Sequence, residues 1–261
     1  MLIRAITALL GVAFLCSVWH FFKEIGLVYT CAFVTLVCCF EFSFMVEKSN
    51  RLIQLLFVCI TFAFYCVFTF FSQSMITFIS FFILLVGYFI LCSNEEIDKR
   101  VNGLASWTVG LLYCGALTGI VTLGINEFGG PYFTAVLILS FITDTFAYLG
   151  GRAFGKNKLA PKISPKKTVE GSISGLIGGS AIGFYYLTSI TNHSPTWVII
   201  VTCIAGSLFG QVGDLFESTI KRYSGVKDSG KIMPGHGGFL DRIDGVLFVG
   251  PVIWLWMQAY T

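Results

Sequence analysis

The feature that most limits what this chain can become is a succession of about nine apolar runs, each roughly 16 to 22 residues long, that fills most of its 261 residues. They lie near 2–22, 25–46, 52–71, 74–92, 103–125, 131–150, 171–190, 196–215 and 245–260. At about 1.5 Å per helical residue, such a run spans the roughly 30 Å hydrocarbon core of a bilayer. The expected fold is therefore an all-α polytopic membrane protein with about nine transmembrane helices. A hydrophobic content of 56% against a charged content of 12% excludes an ordinary soluble domain. The first run also has the makings of a signal peptide, but it lacks a small-x-small cleavage site, so a retained helix is expected.

Counting the runs in order assigns every second loop to the same side of the membrane. Of the 17 Lys and Arg residues, only Lys23 falls on one side. Arg4, Lys48, Arg51, Lys99, Arg100, six in 152–167 and five in 221–242 fall on the other. The positive-inside rule makes that other side cytoplasmic, with the N-terminus inside and the C-terminus outside. The nine cysteines sit inside apolar runs without a C-x-x-C pair or a histidine at ligand spacing, so they read as small buried hydrophobes. No nucleic-acid-binding motif occurs, and no nucleic-acid partner is expected.

The loops are too short for a second domain, so residues 1–261 form a single membrane domain. Residues 1–130 make a hydrophobic helical half. Residues 131–261 carry the unusual chemistry, with cytoplasmic loops at 151–170 and 216–244. The cluster Asn94, Glu95, Glu96, Asp98, Lys99 and Arg100 reads as a solvated turn. Glu41, near the end of the second run, either lies at the interface or faces a polar interior. Gly171, Gly175, Gly179 and Gly183 recur every four residues and form a smooth stripe for close helix packing, which also allows a homodimer.

Three polar clusters gather on the cytoplasmic side. The first begins with Asp144, Tyr148 and Gly151, which share a helical face by their spacing of four and seven. A carboxylate at that depth needs a cation, water or a metal. The loop beyond it carries Arg152, Lys156, Lys158, Lys162, Lys166 and Lys167 against Glu170 alone. It is either a basic orienting loop or a site for phosphates and anionic headgroups. Gly150 to Asn157 comes one residue short of a phosphate-binding P-loop, but Asn157 replaces the required hydroxyl and no strand precedes it. The second cluster, Asp214, Glu217, Ser218 and Lys221, lies on one helical face, a pattern that interfacial salt bridging would also give. In the third, "PGHGGFLDRIDG", a glycine-rich turn leads to Asp241 and Asp244, one turn apart as the last helix starts. Two such carboxylates can hold a hard divalent cation such as Mg²⁺, and the helix N-terminus attracts phosphate. With Lys221, Arg222, Lys227, Lys231 and Arg242 nearby, these parts read as a site for a metal-bound polyphosphate; a polar loop with N-capping aspartates would explain the acids but not the Gly-His-Gly-Gly or the basic residues.

The stretch "STIKRYSGVKDSGKIMPGHGGFLDRID" resembles the long signature of the phosphatidate cytidylyltransferases, the CDP-diacylglycerol synthases. Ser218, Lys221, Arg222, Lys227, Asp228, Gly230, Pro234, His236, Gly237, Gly238, Asp241, Arg242 and Asp244 carry it. The segment from Asp144 to Gly171 resembles the family's other shared region. The resemblance covers about residues 140–250. It implies an integral membrane nucleotidyltransferase of a bacterial inner membrane, with its site on the cytoplasmic face. The implied reaction transfers CMP from CTP to phosphatidate, with Mg²⁺ and room for a second metal ion.

On that resemblance, Asp241, Asp244 and Asp214 are expected to hold metal, and Asp144 is a further ligand or an orienting group. Lys221, Arg222, Lys227 and Arg242 are expected to bind the triphosphate, and Ser218, Tyr148, Arg152, Lys166 and Lys167 to bind substrate phosphates. His236 either donates to the leaving group or shapes the glycine turn. Two other readings share these features: a CTP-dependent polyprenol kinase, and a transporter of anionic lipid or phosphate.

Overall fold

The computed structural model describes residues 2–47, 51–71, 75–91, 96–191, 194–233 and 237–260. Lys48, Asn94, Glu95, Pro234 and His236 lie outside the described residues. The described chain is helical almost throughout: α1 (Leu2–Val46), α2 (Arg51–Phe70), α3 (Met75–Leu91), α4 (Ile97–Gly110), a π-helical turn (Leu111–Leu117), α5 (Thr118–Phe154), α6 (Val169–Ile190), α7 (Thr196–Tyr223) and α8 (Leu240–Tyr260). A short antiparallel hairpin, β1 (Lys158–Ala160) and β2 (Ser164–Thr168), joins α5 to α6. Among the described residues, six helices are long and apolar enough to cross a membrane. In lipid a helix satisfies its own backbone groups, which is why apolar runs of this length become helices. The chain is an all-α integral membrane protein.

Two of these helices break internally. In α1 the break is at Lys23 (φ 54°, ψ −140°), and in α5 at Gly129 (φ 67°, ψ −149°), just ahead of Pro131. The chain folds back at both. A Cβ on Gly26 would lie 2.7 Å from Val18, and one on Gly124 would lie 2.2 Å from Tyr132. Residues eight apart in a straight helix stand about 12 Å apart, so only a reversal brings them together. The two breaks adjoin each other, since Glu24 reaches Gly129 and Trp19 reaches Gly130. At this end Glu127 also accepts hydrogen bonds from Trp254 Nε1 (2.8 Å) and Gln258 Nε2 (2.6 Å) near the end of α8.

Two glycine seams bring the helices close. The α6 stripe lies against α5 of the same chain: a Cβ on Gly175 would meet the Thr143 carbonyl and Ala147 Cβ, each at 2.8 Å, and one on Gly183 would meet Leu139 at 2.6 Å. The stripe is thus used within one chain and leaves no glycine face on α6 for a second copy. Because a backbone carbonyl cannot swing aside, Gly175→Ala is expected to force α5 and α6 apart. Thermal unfolding in detergent should register a loss of about 1–3 kcal/mol.

The second seam runs along Gly110, Gly115 and Gly119, which receive Phe57, Phe64 and Phe68. Gly110 and Gly115 are five residues apart, a spacing that an α-helix would splay. The wider π turn, closed by bonds five residues long, keeps them on one side.

Buried apolar residues form two clusters. One, around Tyr132, Leu139, Leu187, Val249 and Ile253, joins α5, α6 and α8. The other, around Phe42, Phe57, Trp107, Tyr113 and Leu247, joins the first half of the chain to α8. Phe57 stacks on Phe42 (5.5 Å between ring centres) and meets Trp107 edge-on at 5.2 Å.

Candidate active site

The polar clusters of the second half meet where the last turns of α5 and α7, the β1–β2 hairpin and the first turn of α8 come together. Small residues make this meeting possible. A Cβ on Gly213 would lie 2.4 Å from the Asp244 carbonyl, so α8 rests directly on α7 beside Asp214. A Cβ on Gly245 would lie 2.7 Å from Ser140 Oγ, which brings α5 against the same point. Thr168, the last residue of β2, nests against Gly151, Gly155 and Gly171. Its Oγ1 caps α6 by accepting from the Gly171 N–H at 3.2 Å, which anchors the hairpin over the helix ends.

As a result Asp144, Asp214 and Asp244, from α5, α7 and α8, are carried to the same end of the bundle, with α8 seated against α7 at Gly213, next to Asp214, and against α5 at Ser140, one turn before Asp144. Lys167 pairs with Asp214 Oδ2 at 2.5 Å, and Ser218 Oγ donates to Asp214 Oδ1 at 3.4 Å. Asp144 is exposed, with the cations of Lys167 and Arg242 acting on it. Asp244 is buried, and its Oδ1 accepts from the Gly245 N–H at 2.8 Å. Carboxylate oxygens are the hard donors that a hard divalent cation would take. Among the described residues no three His, Cys, Asp or Glu side chains already converge closely enough to grip an ion. Asp214 meanwhile has Lys167 as its counter-ion.

Asp241 has a different setting from Asp244. Its Oδ1 takes Lys221 Nζ at 2.5 Å, and its Oδ2 accepts from the N–H groups of Ser229 (2.9 Å) and Gly238 (2.8 Å). Lys221 also pairs with Glu217, so its ammonium lies between two carboxylates in a buried setting. Arg222 donates to the carbonyls of Ile163 (3.2 Å) and Val226 (3.1 Å), tying the hairpin to the end of α7. Lys166, Arg152, Lys227 and Arg242 present exposed cations around this end, and Tyr148 is 63% exposed one turn beyond Asp144.

The expectation that the α8 N-terminus attracts phosphate needs correction. Glu41 reaches it from α1 and accepts from the N–H groups of Phe239 and Leu240, each at 3.0 Å. With Gly238 donating to Asp241, the first amides of α8 already face protein carboxylates. The P-loop-like segment behaves the same way: the amides of Lys156 (3.0 Å) and Asn157 (3.1 Å) donate to Glu170. Neither partner was legible in the sequence, because each carboxylate lies far from the amides it caps, 13 residues in one case and 198 in the other.

A protein-family model, that of the cytidylyltransferase family, matches residues 2–260. This chain belongs to that family. Over a stretch of 125 residues it is 46% identical to the phosphatidate cytidylyltransferase of Staphylococcus saprophyticus and 47% identical to that of Staphylococcus haemolyticus. The Staphylococcus aureus protein of the same name is 46% identical over an equal length. In each case the match spans 48% of this chain and 48% of the relative, so the chain spans about half the length of the relatives it matches.

Proposed function

We propose that this cytidylyltransferase-family protein is a phosphatidate cytidylyltransferase, converting CTP and phosphatidate into CDP-diacylglycerol and pyrophosphate. The observation that carries the reading is the meeting of Asp144, Asp214 and Asp244 beside Lys167 at a single end of a membrane-spanning bundle. A lipid whose acyl chains stay in the bilayer and a soluble triphosphate can both reach a site at the helix ends. The relatives' shared name favours cytidylyl transfer over the kinase and transporter readings.

A phosphatidate oxygen attacks the α-phosphorus of CTP; the new P–O bond forms as the bond to pyrophosphate breaks. The phosphate monoester is largely ionised near neutral pH, so alignment and charge neutralisation supply most of the catalysis. Asp144, Asp214 and Asp244 would hold Mg²⁺, with Asp241 beside them, and the ion supplies charge neutralisation on the phosphates. Lys166, Lys167, Arg152, Lys227 and Arg242 bind and orient the two anionic substrates. Lys167, which pairs with Asp214, would bind a substrate phosphate, and Asp214 would be one of the residues that hold the ion. Lys221, held by Glu217 and Asp241, fixes the junction of α7 and α8, and Arg222 holds the hairpin over it. Tyr148 and Ser218 line the approach.

The reversals at Lys23 and Gly129 divide α1 and α5 in a way that supports nine spans, with the basic end cytoplasmic and the C-terminus outside. The bacterial relatives support a plasma-membrane location. Detergent-purified protein given CTP and phosphatidate is expected to release pyrophosphate only when both substrates and Mg²⁺ are present, and chelation should stop it. Pyrophosphate release without phosphatidate would overturn the assignment of the acceptor.

A further inference from the structure

Glu41 is the one acidic residue of the first half that reaches the candidate site among the described residues, and the catalytic reading gives it no task. It is 3% exposed, on a helix whose surroundings are apolar. A carboxylate in such a place is held by what it bonds. Its Oε1 accepts from the Phe239 N–H, and its Oε2 from the Leu240 N–H. Ser229 Oγ lies 3.1 Å from Glu41 Oε2 and 3.0 Å from Asp241 Oδ2, so one hydroxyl group bridges the two carboxylates. From there the chain of contacts continues through Asp241 to Lys221 and Glu217.

The glycines of the loop are shaped around this carboxylate. A Cβ on Gly230 would lie 2.4 Å from Glu41 Oε1, and a Cβ on Gly238 would lie 2.4 and 2.5 Å from its two oxygens. Gly237 holds φ +84°, a backbone conformation that side chains resist, and so turns Gly238 toward the pair of carboxylates. The glycines flanking this turn therefore make room for a side chain from α1. A negative charge at a helix N-terminus is also favoured by the helix dipole.

We infer that Glu41 is a positioning residue: it clamps Ser229 and residues 238–240 at the start of α8 from the first half of the chain, and so sets where Asp241 and Asp244 stand. The inference rests on the cytidylyltransferase reading for its catalytic consequence, but the clamp itself can be measured without any activity.

Hydrogen–deuterium exchange of the full-length protein in detergent reads it directly. In the parent, the Phe239 and Leu240 amides should exchange slowly although no helical turn precedes them; exchange as fast as that of the exposed Lys227 amide would overturn the clamp. In Glu41→Gln those two amides should exchange at least about tenfold faster, with α6 unchanged, because bonds to a charged acceptor are lost. Gly238→Ala, which keeps the charge but crowds the carboxylate out, should give the same change, and Glu41→Asp should retain part of the protection. A folded variant of either kind with parental exchange would contradict the inference. In the CTP assay, Glu41→Gln should lower kcat about tenfold or more while KM for CTP stays within about twofold, with partial recovery in Glu41→Asp. Faster exchange with an unchanged kcat would leave a structural cap and remove the positioning role. An inactive parent with slow Phe239 and Leu240 amides would instead count against the proposed reaction alone.

Discussion

Asp244→Asn is expected to lower CTP-dependent transfer to lipid at least about a hundredfold while leaving a folded protein. The reason lies in its surroundings. Asp244 is buried, accepts a hydrogen bond from the Gly245 N–H, and shares its end of the bundle with the carboxylates of Asp144 and Asp214. Removing its charge takes one buried carboxylate out of a group of like charges, so stability should hold or rise, whereas the proposed cation site would lose a ligand. Asp241→Asn should behave differently. It removes the charge that Lys221 pairs with and disturbs the bonds from Ser229 and Gly238, so both activity and thermal stability should fall. Measuring rate and unfolding temperature on the two variants side by side separates the roles. Equal activity in Asp244→Asn and the parent would remove Asp244 from the reaction. Glu96→Gln, at an exposed position before α4, serves as the neutral control and should shift stability by no more than about 0.5 kcal/mol.

The largest loss of stability is expected from Lys221→Met. The methionine fills most of the same space, but Glu217 and Asp241 are left as carboxylates without their shared cation. Glu217 is 1% exposed and its second oxygen, Oε1, has no hydrogen-bond partner among the described residues. Removing one member of a buried ionic group typically costs about 3–5 kcal/mol, because the remaining charge stays desolvated. Unfolding in detergent should show that loss. The double variant Lys221→Met with Glu217→Gln should recover part of it, since one of the stranded charges is gone. A single variant as stable as the parent would mean that the buried carboxylates do not need Lys221.

What was legible in the sequence followed from local rules. Hydropathy located the apolar runs, and the pairs near 22/25 and 125/131 coincide with the reversals at Lys23 and Gly129. The spacing of Asp214, Glu217, Ser218 and Lys221 placed them on a common face of α7, and the Glu217–Lys221 pair is the resulting i,i+4 contact. The glycine stripe of α6 was legible as a packing face, but not its partner, which is α5 of the same chain. The β1–β2 hairpin is not legible in the sequence because its five-residue second strand, Ser164–Thr168, carries two lysines and a proline and reads as a basic loop. The position of Glu41 was illegible for a different reason. No period or spacing within a helix tells which distant loop will supply amides to it, and here the donors come 198 and 199 residues later. Lys167 illustrates the same limit, since its pairing with Asp214 depends on how the hairpin folds back over α7.

The central claim is that the end of the bundle carrying Asp144, Asp214 and Asp244 performs cytidylyl transfer, and the position of a label in CTP tests it most directly. Purified protein with phosphatidate and Mg²⁺ would be given CTP labelled at the α-phosphate and, separately, at the γ-phosphate, with lipid and soluble products separated. The account predicts α-label in the lipid, γ-label in released pyrophosphate, and neither transfer in Asp244→Asn. Label from the γ-phosphate in a lipid would mean phosphoryl transfer instead, and a folded protein that places neither label in lipid would contradict the account.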